Sequence, residues 1–150
     1  MDVYLDYNAT APLRPEVASA MASALELCGN ASSIHCFGRL ARRALEDARE
    51  AIARAVGASA AEIVFTSSGT EANNMALRGT ERSVFISAVE HDSVRAARNN
   101  ASIIRVDQDG LVDLCQLEEL LAAADAPALL SVMLANNETG VVQPVADVVA

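Results

Sequence analysis

The sequence contains no lysine; all 11 of its basic residues are arginines. A chain without lysine has no side-chain amine with which to bond a carbonyl compound, and arginine cannot replace it because its guanidinium stays protonated. Basic charge is scarce in general. Against 20 acidic residues the formal net charge is -9, and no dense arginine cluster interrupts it, which argues against nucleic acid and against an acidic membrane surface as partners. No apolar run approaches the length of a membrane span, and no basic stretch leads into an apolar one as in a secretory signal, so the expected location is cytoplasmic. Cysteine is sparse as well. Cys28, Cys36 and Cys115 are odd in number, widely spaced and without a Cys-x-x-Cys pair, which speaks against a disulfide framework. A zinc site from Cys28, His35 and Cys36 lacks a fourth ligand, so no metal is expected and the three thiols read as small, half-buried side chains.

What the chain does have, in 150 residues that are 52% hydrophobic and 21% charged, is enough apolar bulk for one globular domain with a core. Residues 3–5 read as a short extended piece. Pro15 and Glu16 open an Ala-rich helix that runs towards Cys28 and stops at Gly29, and residues 30–37 form a polar, turn-rich loop. The longest helical pattern covers residues 39–56, with Leu40, Ala44, Leu45, Ala48, Ile52 and Val56 on one face and Gly57 as its stop.

Strand and helix patterns then alternate. Residues 62–66 read as a strand, 67–70 as a tight turn, 71–77 as a helix and 83–87 as a buried strand. A short helix is expected over 92–98, a strand over 102–106, and a turn at Asp109-Gly110. Asp113 with Gln116 resembles a capping box for a helix through Ala124, and residues 128–134 form the next strand. This order argues for an α/β layer fold with a largely parallel sheet flanked by helices.

In such a sheet ligands bind beyond the carboxyl ends of the strands, which directs attention to the residues after Thr66, Ser87 and Leu134. The first junction is Ser67-Ser68-Gly69-Thr70-Glu71, which suits either a phosphate at a helix N-terminus or a plain capped helix start. It is neither a Walker motif nor a dinucleotide fingerprint. At the second junction stand Glu90, His91 and Asp92, where the imidazole can act as acid or base, lay a flat face on an aromatic ring, or be merely structural. The third, Asn136-Asn137-Glu138-Thr139-Gly140, offers amide donors to a ligand and equally fits an ordinary turn. Three polar clusters at successive strand ends would converge on one crevice.

Taken together, Tyr4 through Pro12, Gly29-Asn30 with Ser32-Ser33 and His35, Thr66 through Asn74, Glu90-His91, and Asn136 through Gly140 resemble the NifS-like cysteine desulfurases, which are class V aminotransferases. The likeness runs in the right order across essentially all 150 residues. It implies a three-layer fold-type I pyridoxal-phosphate transferase large domain, incomplete here, with residues 1–30 as N-terminal segment and helix and 31–150 as the start of the cofactor-binding α/β domain. The implied activity takes sulfur from L-cysteine, leaves L-alanine and carries the sulfur as a cysteine persulfide for a sulfur-acceptor or iron–sulfur scaffold protein, in a homodimer. Selenocysteine lyase and other class V aminotransferases are sister readings, and a non-catalytic truncated fragment is the contrasting one.

By the same resemblance Gly69 and Thr70 hold the phosphate of pyridoxal 5′-phosphate, His91 stacks on its ring, and Asn137 hydrogen-bonds its phenolic oxygen. The stretch around Asn8 and Ala9 lies near the substrate entrance. Ser68 stands where the family often has glycine and Ala31 where it often has proline. The family's attachment lysine, ring-nitrogen aspartate and persulfide cysteine lie downstream of the matched region, so this chain alone is expected to be inactive. Residues 144–150 read as the first turns of a helix cut short, and the chain is expected to be the N-terminal portion of a longer one. Made alone, such a half-sheet is expected to expose a strand edge and apolar surface and to be poorly soluble or obligately associated.

Overall fold

A computed structural model describes residues 3–124 and 127–149. They form two compact units, one from residues 12–65 and the other from the N-terminal segment up to Ala11 joined with the chain from Thr66 onward.

The unit of residues 12–65 is helical. Helix α1 (Pro15–Leu25) starts with proline at its first position, where a missing N–H does no harm. Helix α2 (Cys36–Val56) begins three residues before the expected start at residue 39, because His35 acts as its N-cap, its Nδ1 accepting from the Gly38 N–H at 3.3 Å. The helix stops, as its sequence predicts, at Gly57, whose φ of 71° is the left-handed conformation that glycine adopts freely. Leu40, Leu45, Ile52 and Val56 of its apolar stripe all remain exposed.

The strand expected over residues 62–66 is not formed. A 3₁₀ turn occupies Ala60–Glu62, Ile63 after it is extended, and residues 63–66 belong to no ladder among the described residues. The β-branched and aromatic run Ile63-Val64-Phe65-Thr66 favours extended backbone, yet propensity supplies no partner. Instead Arg49 donates through Nη1 to the Ile63 carbonyl at 2.5 Å and lies 4.8 Å over the Phe65 ring, while Val64 stays 64% exposed.

The other unit carries a three-stranded parallel sheet in the order β2-β1-β3. Its central strand β1 (Val84–Ser87) is buried at every position, as an apolar run covered on both faces must be. Alternate side chains point to opposite faces. Val84 and Ile86 pack with Leu77 of α3 (Gly69–Arg78) and with Val94 of α4 (Asp92–Arg95), whereas Phe85 packs with Ile104 of β2 (Ser102–Ile104), Val112 and Leu117 of α5 (Leu114–Ala122). The sheet is therefore the middle of three layers. Strand β3 (Leu129–Ser131) runs parallel to β1, with Phe85 opposite Leu130 and Ile86 opposite Ser131.

Several elements are shorter than their sequence patterns. The strand expected over 102–106 ends at Ile104, and Val106 instead bridges Val112 around the turn at Gly110. The strand expected over 128–134 reduces to β3, after which Ala135 bridges Val142. The helix expected over 92–98 spans Asp92–Arg95, and the last helix, α6, spans Val145–Val148. Asp113 caps α5 by accepting from the Gln116 N–H at 3.0 Å, but the Gln116 side-chain Oε1 accepts the Arg105 N–H at 2.7 Å instead of closing the box.

The cysteines also differ from expectation, all three being exposed. Cys36 sits in the opening turn of α2 and Cys115 on α5, whose buried contact is made by Leu117. Among the described residues no helix is long and apolar enough to cross a membrane.

Candidate functional site

The carboxyl end of β1 leads through a turn, closed by the Glu90 N–H to the Ser87 carbonyl at 3.2 Å, straight into His91. His91 is the N-cap of α4. Its Nδ1 accepts from the Ser93 N–H at 3.0 Å and lies 2.8 Å from the Ser93 hydroxyl. An Nδ1 that accepts a backbone N–H carries no proton, so the neutral ring bears its hydrogen on Nε2, which together with the ring face is left for other work. The Ser93 hydroxyl in turn accepts from Asn73 Nδ2 at 2.8 Å, which fastens α4 to the first turns of α3.

The carboxyl end of β3 leads to the asparagine pair, whose members have different tasks. Asn136 is buried and spent on local structure: its Oδ1 accepts from the N–H groups of Glu138 and Thr139 at 2.8 and 2.9 Å, and its Nδ2 donates to the Val89 carbonyl at 2.9 Å. Asn137 is exposed, and its amide has no partner among the described residues. His91 and Asn137 both line a cavity of about 520 Å³, together with Asn8, Ala9, Met133, Leu134 and Ala135. Asn8 is held there by its Nδ2 donating to the Ala135 carbonyl at 2.6 Å. The two residues also line a smaller cavity of about 120 Å³ with Glu90, Asp92, Arg95 and Glu138.

Gly69 and Thr70 are the first two residues of α3, and they line neither of these cavities. Because the stretch before Ser67 joins no ladder among the described residues, this junction does not follow a sheet strand. Ser68 caps the helix by accepting from the Glu71 N–H at 3.3 Å, and the Glu71 carboxylate folds back onto the Ser67 N–H and hydroxyl at 2.6 and 2.7 Å. Those two bonds hold the Glu71 carboxyl below its ordinary pKa, the hydroxyl contributing most. The N–H groups of Gly69 and Thr70 have no partner among the described residues, and no atom lies within 4 Å of where a Cβ on Gly69 would sit. Two free donors at the positive end of a helix, with open space before them, form an anion cradle.

Glu90 is the titratable group least at home here. It is 7% exposed, has no salt-bridge partner among the described residues, and accepts the Met133 N–H on Oε1 at 2.5 Å. Burial raises its carboxyl pKa, opposed by that N–H, the His91 imidazole and the Ser131 hydroxyl. Sequence reasoning missed the tie between Asn73, Ser93 and His91, since residues twenty apart give no local signal that they touch.

The model of the family described as "Aminotransferase class-V" matches residues 3–150. The chain belongs to that family. Its relatives include "Cysteine desulfurase IscS" of Dictyoglomus turgidum, 44% identical with 96% of this chain and 40% of the relative covered, and "Selenocysteine lyase" of Homo sapiens, 35% identical with 97% and 41% covered. Among solved structures the NifS-like protein of Rickettsia africae superposes with a TM-score of 0.87 at 41% identity, covering 97% of this chain and 43% of that one. The fold is accordingly the α/β large-domain architecture of NifS-like enzymes, and the chain spans about two fifths of the length of the relatives it matches.

Enzymes of this family depend on pyridoxal phosphate. The residues present suit that group. The free N–H groups of Gly69 and Thr70 could receive its phosphate, and Asn137 and His91 could offer it a donor and a flat face beside a cavity that Gly69 and Thr70 do not line.

Proposed function

We propose that this chain is the N-terminal, cofactor-holding portion of a cysteine desulfurase. The observation that carries the reading is the meeting of His91 and Asn137 with Asn8 and Ala9 on one cavity at the carboxyl ends of two neighbouring parallel strands. In this reading Gly69 and Thr70 bind the phosphate through their N–H groups, Asn137 donates its amide to the phenolic oxygen, and His91 lays its ring against the pyridine. The Ser93 bonds to Nδ1 fix the tautomer and plane of that imidazole. Asn8 and Ala9 border the side from which L-cysteine enters. Pyridoxal phosphate, when bound, supplies the electron sink that lets bonds at an amino acid's α- and β-carbons break.

The chain has no lysine, so the amine that attaches the cofactor comes from outside these 150 residues, as do the persulfide cysteine and the partner of the ring nitrogen. The 150 residues are then inactive by themselves. The larger assembly is a cytoplasmic homodimer that passes sulfur to an acceptor of iron–sulfur cluster assembly, and residues 31–150 begin its cofactor-binding domain. Relatives named for selenocysteine favour one second reading, a lyase for the selenium analogue.

Titration of the chain with pyridoxal 5′-phosphate, followed by absorbance and induced circular dichroism, tests the cofactor site. Gly69→Pro is the discriminating variant. Proline is tolerated at the first position of a helix after an extended residue, as Ser68 is, but it deletes one phosphate donor. Affinity is expected to fall roughly tenfold or more, the usual loss when one hydrogen bond to a charged group goes, with the melting temperature unchanged. Asn137→Ala and His91→Ala are expected to weaken binding similarly. Equal affinity in all three variants would overturn the assignment. Release of L-alanine from L-cysteine and from L-selenocysteine by the assembly separates the two substrate readings.

A further inference from the structure

The ladder between β1 and β3 ends with Ile86 opposite Ser131, and beyond it backbone pairing no longer holds the two chain segments together. Two side chains take over, and they do so reciprocally. From the turn after β1, Glu90 reaches across to accept the Met133 N–H. From the turn after β3, Asn136 reaches back to donate to the Val89 carbonyl. Each side chain thus bonds the other segment's backbone, and each immediately precedes a residue that lines the cavity: Glu90 before His91, Asn136 before Asn137. Both are buried. A carboxylate buried without a cation is an unfavourable choice for packing alone, which the rise in its pKa reflects. Its Oε1 supplies the acceptor that a lone backbone N–H past a strand end otherwise lacks.

We propose that Glu90 and Asn136 are positioning residues, a two-bond clamp between the turns after β1 and β3 that sets the spacing between His91 and Asn137. The proposal rests on the reading of that cavity as the cofactor site, but the clamp can be tested without the cofactor. Neither side chain touches the reacting group; each acts through the residue that follows it.

The test uses nuclear magnetic resonance of the unloaded protein, reading the His91 ring signals, the Asn137 side-chain amide and exchange of the Met133 N–H, followed by pyridoxal phosphate titration. Three variants separate positioning from bulk stability. Glu90→Ala removes the acceptor, Glu90→Gln keeps one, and Asn136→Asp keeps Oδ1 for the Glu138 and Thr139 N–H groups while losing the donor to Val89. Glu90→Ala and Asn136→Asp are expected to move the His91 and Asn137 signals together and to weaken cofactor binding roughly tenfold. Glu90→Ala alone should also speed Met133 exchange, and Glu90→Gln should restore the parent spectrum. Unmoved His91 and Asn137 signals in Asn136→Asp overturn the clamp, even if Glu90→Ala does not fold. Signals that move as expected in a parent that binds no pyridoxal phosphate leave the clamp standing and overturn the cofactor reading.

Discussion

Replacing Ser93 with alanine removes the hydroxyl that joins α3, α4 and the candidate imidazole. In the folded chain that oxygen accepts from Asn73 Nδ2 at 2.8 Å and lies 2.8 Å from His91 Nδ1. A buried hydrogen bond contributes about 0.5–1.5 kcal/mol net, and Ser93 is half-buried, so the loss of both is expected to cost about 1–2 kcal/mol. For a chain of this size each kcal/mol lowers the melting temperature by roughly 2–4 °C. Urea unfolding should show the lowered midpoint with an unchanged slope. A double-mutant cycle of Asn73→Ala with Ser93→Ala isolates the bond between helices and should return a coupling of about 1 kcal/mol. Because the Ser93 N–H still reaches Nδ1 at 3.0 Å, His91 keeps its tautomer, and the nitrogen shifts of its ring should continue to report a proton on Nε2. A Ser93→Ala protein as stable as the parent, or a coupling of zero, would refute the claim that this hydroxyl ties the helices together.

Glu90→Gln reports on the buried carboxyl. Because the folded-state pKa of Glu90 lies above the ordinary carboxyl value, the folded form keeps a proton that the unfolded chain gives up first, so stability falls as pH rises through that window. Glutamine does not titrate, so the stability of Glu90→Gln relative to the parent should grow from pH 4 to pH 7 in thermal melts; a constant or shrinking gap would contradict it. Ile104→Ala opens a hole where a side chain is 0% exposed between β2 and α5 and should cost about 2–5 kcal/mol by denaturant titration. Gly38→Ala puts a methyl group against the carbonyl oxygens of Ser33 and Asn30, backbone atoms that cannot swing away, and should loosen the start of α2, read as lost helical circular dichroism.

The layered α/β class, the proline-led start of α1, the glycine stop of α2 and the polar segments that flank the candidate site can be read along the chain. Those are local matters. The 3.6-residue and 2-residue apolar periods, the proline at the head of α1 and the glycine after α2 act within a few residues of where they stand. The polar clusters around Gly69, His91 and Asn137 stand out by residue type for the same reason, while the roles proposed for them rest on the family resemblance.

Pairing and proximity were decided only by tertiary structure. The run Ile63-Val64-Phe65-Thr66 has every strand preference and pairs with nothing among the described residues, because a ladder needs a neighbour that residue type cannot specify. The cysteines, read as half-buried, are exposed, because a small apolar side chain goes inside only where its helix face happens to meet another element. Asn136 and Asn137 look alike in sequence, and the fold alone turned one inward to bond Val89 and left the other free at the cavity. Periodicity and residue type are written along the chain, while a hydrogen bond between partners 47 residues apart, as Val89 and Asn136 are, exists only once the sheet has brought its strand ends side by side.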